Sequence, residues 1–220
     1  MSLPKVKICC ISSVDEAHLA IAYGASALGF VGPMPSGPGI LDNSEIVNIA
    51  QTVPPPIATF LLTSETTGPS IIKHYQKVHT SVIQLVDSVP AGAYHSIKNQ
   101  LPAVKLVQVI HIRGESSMDQ ALEVSECVDA LLLDSGNPDA DTKILGGTGK
   151  THNWDISRQI VKQTTVPVFL AGGLNPQNVR KAIETVQPYG LDLCSGIRTQ
   201  GKLDEKKLAS FMEAVGYSNG

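Results

Sequence analysis

Two stretches near the C-terminus, Leu170-Ala171-Gly172-Gly173-Leu174-Asn175 and Asp192-Leu193-Cys194-Ser195-Gly196-Ile197, decide how this chain is read. Each closes an apolar run and leads into a segment of helical pattern. Glycine-rich turns at two neighbouring strand ends can aim backbone N–H groups, aided by helix N-termini, at a single anion. In a (β/α)8 barrel, the loops after the seventh and eighth strands are the usual place for a phosphate. The pair therefore predicts a small phosphorylated ligand, cradled by Gly172, Gly173, Ser195 and Gly196.

Working back toward the N-terminus, short and nearly continuous apolar runs recur at residues 5–10, 27–32, 57–63, 82–86, 104–112, 130–134, 166–171 and 190–194. Such runs suit parallel strands covered on both faces. Amphipathic segments lie between them. One opens at Ser13, which has the look of an N-cap, with Glu16 three residues later. Another spans residues 176–186, with Asn175 and Pro176 at its start. Eight strand–helix units fill residues 1–220 and leave no segment for a second domain. Strict alternation implies a parallel sheet, and eight units favour a closed barrel over an open doubly wound sheet of five or six strands. The first run ends in Cys-Cys-Ile-Ser-Ser, without the Gly-x-Gly-x-x-Gly turn of a dinucleotide fold. The expectation is an α/β protein, a single-domain (β/α)8 TIM barrel.

Composition narrows the partners. With 220 residues, 42% of them hydrophobic, the chain can bury one substantial core. Its net charge is −3 and its lysines and arginines are scattered, which suggests neither nucleic acid nor an anionic membrane. No secretory or membrane-spanning pattern is evident, so a cytoplasmic protein is expected, a monomer or homodimer. The cysteines, Cys9, Cys10, Cys127 and Cys194, fit neither a disulfide scaffold nor the usual zinc spacings. Cys9 and Cys10 are adjacent on a strand and should point to opposite faces.

Barrel chemistry gathers at the C-terminal ends of strands. There the sequence offers Lys7, Cys9 and Cys10 from the first run and Gln84 and Asp87 from the fourth. His111 and Arg113 follow from the fifth, Asp134 from the sixth and Asp192 from the eighth. Asp134 comes after three leucines, so its pKa should be raised, which suits a general acid. The alternative is a carboxylate that caps the following loop. Cys9 is a base or nucleophile if a cation such as Lys7 favours its thiolate, and otherwise a small buried hydrophobe. The Gly146-Gly147-Thr148-Gly149-Lys150 loop lacks the placement of a P-loop and reads as a lid or as a surface loop.

Taken in order, these motifs resemble the phosphoribosylanthranilate isomerase family of the tryptophan pathway. The likeness runs through Lys7-Ile8-Cys9, residues 23–31, Gln84-Leu85 and Leu131-Leu132-Leu133-Asp134-Ser135. It continues through Gly146–Lys150, Trp154, residues 170–176, Asn178-Val179 and Ser195-Gly196-Ile197. The resemblance implies an Amadori rearrangement of an aminoaldose phosphate to the aminoketose, without a cofactor. It makes Cys9 the base that takes the C2 proton and Asp134 the acid that helps open the ribose ring. The phosphate falls to Gly172, Gly173, Ser195 and Gly196, and Lys7, Gln84, Arg113 and Asp192 are secondary substrate contacts.

The chain also departs from the family pattern. Cys10 stands where the family has glycine, and Ser36-Gly37-Pro38-Gly39 lacks the arginine of Ser-Pro-Arg, expected to hold the anthranilate carboxylate. Val86-Asp87 replaces His-Gly, and His152-Asn153-Trp154 replaces Phe-Asp-Trp. Losing the arginine removes a charge-assisted contact of about 1.5–3 kcal/mol. Arg113 is a candidate substitute, against the plainer reading of a surface arginine. An isomerase with an altered carboxylate site is the leading expectation. The alternatives are a barrel acting on another phosphorylated sugar or amine, and a phosphate-ligand-binding protein with little catalysis.

Overall fold

The structure, a computed structural model, describes residues 3–136 and 151–217. Strands and helices alternate along it: β1 (Lys5–Ile8), α1 (Val14–Ala22), β2 (Ala27–Val31), α2 (Asn43–Ala50), β3 (Ala58–Thr63), α3 (Gly68–Tyr75), β4 (Val82–Leu85) and α4 (Ala91–Gln100). The second half continues with β5 (Lys105–His111), α5 (Ser116–Ser125), β6 (Ala130–Asp134), α6 (Trp154–Gln163), β7 (Val168–Leu170), α7 (Val179–Val186) and β8 (Gly190–Leu193). A 3₁₀ turn (Ser195–Ile197) and a short hairpin of β9 (Arg198–Thr199) and β10 (Lys202–Leu203) lead to α8 (Glu205–Val215). The strands β1 to β8 close into a parallel barrel in sequence order. All eight expected strands are present, most of them shorter by a residue or two at their ends.

Two helix starts differ from the sequence reading, each for a local reason. Ser13 does cap α1, its Oγ accepting from Glu16 N at 3.1 Å. The reciprocal half of the capping box is missing, because the Glu16 carboxylate accepts from Ser12 N at 3.0 Å and pairs with Arg198. The helix expected from residue 176 begins at Val179. Asn175 Oδ1 accepts from Gln177 N and Asn178 N, and Asn178 Oδ1 accepts from Asn175 N. These side-chain bonds hold residues 175–178 in a turn that competes with the helix.

Alternation along each strand divides the core into two layers. Leu28, Phe30, Leu61, Ile83, Leu131, Leu133, Leu191 and Leu193 face the helices, where they meet Ile46, Ile71, Ile160, Ala182 and Leu208. Ala27, Val31, Phe60, Leu62, Val107, Val109, Leu132 and Phe169 fill the barrel interior. Phe60 and Phe169 meet there edge to face, with centroids 6.1 Å apart. Gly190 is required at this layer: a Cβ would lie 2.5 Å from the Phe169 ring.

One ion pair sits inside the barrel. Lys7 on β1 and Asp192 on β8 are register partners, and Lys7 Nζ donates to Asp192 Oδ1 at 2.7 Å. Lys7 is fully buried and its ammonium also lies 5.1 Å from the Phe60 ring centroid. Burial would push the ammonium down, but the Asp192 carboxylate outweighs it and holds Lys7 above the ordinary lysine range. Removing one member of such a pair strands the other charge. Lys7→Met should therefore cost about 3–5 kcal/mol in urea unfolding, whereas Lys7→Met with Asp192→Leu should recover most of it. A single variant within 1 kcal/mol of wild type, on the order of an exposed pair, would contradict a closing role for this pair.

Candidate active site

Strand parity brings the expected chemistry to one place. On β6, Leu131 and Leu133 point to the helices, so Leu132 and Asp134 point inward. On β4 the same rule turns Gln84 inward, and on β8 it turns Asp192 inward. Cys9, Gln84, Asp134 and Asp192 all line one cavity at the C-terminal mouth of the barrel. Val31, Leu62, Val86 and Val109 form its apolar wall, and Gly172, Gly173, Leu174 and Ser195 its opposite rim.

Cys9 extends the β1 ladder by one bond, donating from its N–H to Leu193 O at 2.9 Å. A Cβ on Gly29 would come within 2.9 Å of Lys7 Nζ and 3.0 Å of Cys9 Sγ, so ammonium and thiol share the space above that glycine. Lys7 itself lies below the cavity, bound to Asp192. The expectation that Cys9 and Cys10 face opposite ways is overturned, because both line the cavity. The strand ends at Ile8, and Cys10 takes a left-handed conformation with φ of 61° that turns the chain back over the mouth. That conformation costs a residue with a Cβ roughly 1–2 kcal/mol, which accounts for glycine as the ordinary residue here in the resembling family. Arg198 Nη2 pins the turn, donating to Cys10 O at 2.6 Å and Cys9 O at 3.2 Å.

Asp134 is 8% exposed at the end of β6. Burial raises its pKa above the ordinary carboxylate value, with the charge of Asp192 adding to the shift. Ser135 N, at 2.7 Å from Oδ1, Ser135 Oγ and the neighbouring His111 oppose it without cancelling it. The rise expected from three preceding leucines is present, and its cause is desolvation.

The two glycine-rich loops meet at the rim. Gly172 and Gly173 are both left-handed, with φ of 81° and 63°. A Cβ on Gly172 would crowd Asp134 Oδ1, Ser135 Oγ and His152 Nδ1, at 3.0–3.2 Å. A Cβ on Gly196 would run into the Leu174 carbonyl oxygen. The absence of side chains lets the β7 and β8 loops touch backbone to backbone. Ser195 lines the cavity, and Gly196 sits behind it in the 3₁₀ turn.

Arg113 falls outside this group. It is exposed beyond β5, its N–H donating to Ser117 Oγ at 3.0 Å. None of the described residues lining the cavity is a lysine or arginine. Residues 146–150, the expected lid or surface loop, lie outside the described residues. His152 was visible in the sequence only as a departure from a family pattern. Its ring stands beside Gly172, with Nε2 bonded to Ser157 Oγ at 2.7 Å, and burial pushes its pKa down to about 4. His111, next to Asp134 in the β5–β6 register, keeps Nε2 on Val86 O at 3.2 Å.

The raised pKa of Asp134 has a consequence for stability. The folded state holds this proton more tightly than the unfolded chain, so stability falls as pH rises from the unfolded pKa through the folded one. Asp134→Asn keeps an acceptor for Ser135 N and removes the charge. Thermal scans should give this variant a higher Tm than wild type at pH 7, the two converging toward the ordinary carboxylate value of 3.8. A lower Tm at pH 7 would mean that the carboxylate is stabilising where it stands.

Known proteins share both sequence and architecture. Residues 6–214 match the family described as N-(5'-phosphoribosyl)anthranilate (PRA) isomerase. An N-(5'-phosphoribosyl)anthranilate isomerase of Methanosarcina acetivorans is 34% identical, over 96% of this chain and 92% of its own. One from Methanocella arvoryzae is 31% identical, over 97% and 98% respectively. The crystal structure of the Thermotoga maritima enzyme superposes with a TM-score of 0.83 at 27% identity, covering 96% of this chain and 98% of that one. With the barrel, the cavity and these likenesses in agreement, the chain belongs to the N-(5'-phosphoribosyl)anthranilate isomerase family.

Proposed function

We propose that this protein converts N-(5-phosphoribosyl)anthranilate to its aminoketose, the isomerase step of tryptophan biosynthesis, with Cys9 as base and Asp134 as acid. The observation that carries the residue assignment is the convergence of an inward thiol from β1 and an inward buried carboxyl from β6 on one cavity. Its rim is made of the two glycine loops.

The chemistry follows from this arrangement. An Amadori rearrangement opens a ribose ring and then moves a hydrogen from C2 to C1, so it needs a proton donor at the ring oxygen and an acceptor at C2. Asp134, kept protonated to higher pH by burial, gives its proton to the ring oxygen as the C1–O bond breaks and the iminium forms. Cys9, with the Lys7 ammonium beside it, takes the C2 proton to give the enolamine, which tautomerises to the ketone. The left-handed pair Gly172-Gly173 and the turn at Ser195-Gly196 turn backbone N–H groups toward the phosphate. The aryl ring then rests against Val31, Leu62, Val86 and Val109. Gln84 Oε1 is buried without a partner among the described residues, and accepts from a ribose hydroxyl.

A second reading has one observation in its favour. The described cavity lining carries two carboxylates and no lysine or arginine, which suits an arylamine without a carboxylate. Comparing kcat/KM for the anthranilate and aniline ribosides separates the two.

The first test is turnover of freshly generated substrate by the purified protein, followed through loss of anthranilate-type fluorescence. Cys9→Ala and Asp134→Asn should each lower kcat by about 10²–10⁴-fold, the range for losing one positioned acid or base, and still bind a sugar phosphate. Full activity in either variant removes that residue from the mechanism. Since the acid must be protonated, kcat/KM should fall as pH rises through the raised Asp134 pKa. Gly196→Ala, which forces the two rim loops apart, should raise KM about tenfold or more, as expected for one lost charge-assisted contact, with a smaller effect on kcat.

A further inference from the structure

Three of the four cysteines meet at the barrel mouth, and the proposed mechanism uses only one of them. The left-handed turn at Cys10 leaves its thiol on the same cavity as Cys9 and Cys194, and the Cys9 N–H bonded to Leu193 O at 2.9 Å holds the two strand ends side by side. Cys194 follows β8 directly and is the partly exposed member of the group, whereas Cys9 and Cys10 are buried. Arg198 stands over the same turn. Its Nη2 holds the Cys9 and Cys10 carbonyls, and its Nε is buried with no hydrogen-bond partner among the described residues. The Cys10 thiol donating to Cys194, together with the charge of Arg198, holds the Cys194 thiol below the ordinary range. Cys10, hydrogen-bonded to Cys194 and buried, is pushed well above it. An accessible, activated thiol beside a second, protonated thiol is the arrangement of a peroxide sensor and its resolving cysteine.

We propose that Cys194 and Cys10 form a peroxide-reactive dithiol, a modification site that closes the catalytic mouth when oxidised. The Cys194 thiolate attacks a hydroperoxide, breaking the O–O bond. It becomes the sulfenic acid, and the alkoxide or hydroxide takes up a proton and leaves as alcohol or water. The Cys10 sulfur then attacks the sulfenic sulfur, forming the disulfide and releasing water, so the peroxide is reduced by two electrons and the thiol pair oxidised by two. A bond here ties the end of β1 to the β8 loop, between Cys9 and Ser195. It also acts on the turn where Cys10 packs closely on Gly39, at which an added Cβ would lie 2.8 Å from the Cys10 Cβ. A displacement of about 1 Å at reacting groups can cost on the order of 10²-fold in rate, so the oxidised form should be nearly inactive. Only that effect on turnover rests on the isomerase reading; the disulfide does not.

The test treats the reduced full-length protein with hydrogen peroxide, blocks remaining thiols, and maps linked peptides by mass spectrometry beside an activity assay. The expected result is a linked peptide joining Cys194 to the segment with Cys9 and Cys10. It should persist in Cys9→Ser and disappear in Cys10→Gly. Wild-type turnover should fall about 10²-fold and return with dithiothreitol, while Cys194→Ala should show nearly the same activity with and without peroxide. If the link survives in Cys10→Gly, or Cys9 alone gains oxygen with no link formed, the proposal is overturned. If the reduced protein lacks isomerase activity, the function proposed above fails, and the peptide map still decides the dithiol.

Discussion

The buried pair between Lys7 and Asp192 is the constraint on which the site is built. A barrel must close between its first and last strands, and here the closing register sets a cation opposite an anion at 2.7 Å. A buried ammonium and carboxylate each cost several kcal/mol to desolvate, so the pair confers little net stability. What it supplies is charge fixed at the cavity floor, the Asp192 carboxylate on its lining and the Lys7 ammonium beneath. The ammonium rests beside Cys9, while the Asp192 carboxylate opposes ionisation of Asp134. One ion pair thus sets an ammonium beside the thiol and a carboxylate near the carboxyl proposed for proton transfer.

Arg198 performs a complementary task on the outside of the mouth. Its guanidinium reaches both oxygens of Glu16 on α1, at 3.0–3.2 Å, and the carbonyl of Gly201 at 2.9 Å. Burial works against the Glu16 charge, but Arg198 and the N–H of Leu203 hold its carboxyl below the ordinary range. The β9–β10 hairpin, the start of α1 and the end of β1 are therefore joined through one planar group that makes several parallel bonds. Such a fixed frame allows Cys10 to keep an unfavourable backbone conformation. It also explains why Glu16 leaves its capping box half made: the carboxylate is worth more to Arg198 than to its own helix end.

The barrel was legible because its signals are local and redundant. Eight apolar runs at regular spacing needed no tertiary knowledge, and a carboxylate directly after Leu131-Leu132-Leu133 already implied a raised pKa. The glycines at 172 and 196 mark close approaches that a Cβ would obstruct, and Gly173 a left-handed turn. The adjacency of Cys9 and Cys10 misled because strand parity holds only while the strand lasts, and the left-handed turn at Cys10 depends on Arg198, 188 residues away. For the same reason α7 started late: the Asn175 and Asn178 side chains compete with the helix over a range that a proline rule ignores. His152 carried no signal by itself, since its place beside Gly172 comes from the meeting of two loops.

The departures from the family pattern then fall into two kinds. At position 10 the change from glycine is paid in backbone strain and leaves a thiol where none is needed for proton transfer. Around the proposed aryl end, Ser36, Gly37 and Val86 stand on the cavity wall, whose described residues include no lysine or arginine. Proton transfer depends on groups held by strands, whose positions follow from register and parity. Recognition of the amine depends on loops, which can change without disturbing the barrel. The proposed acid, base and phosphate rim can therefore persist on strand ends and glycine turns while the rest of the pocket varies, and the variable half is where this sequence departs from the family pattern.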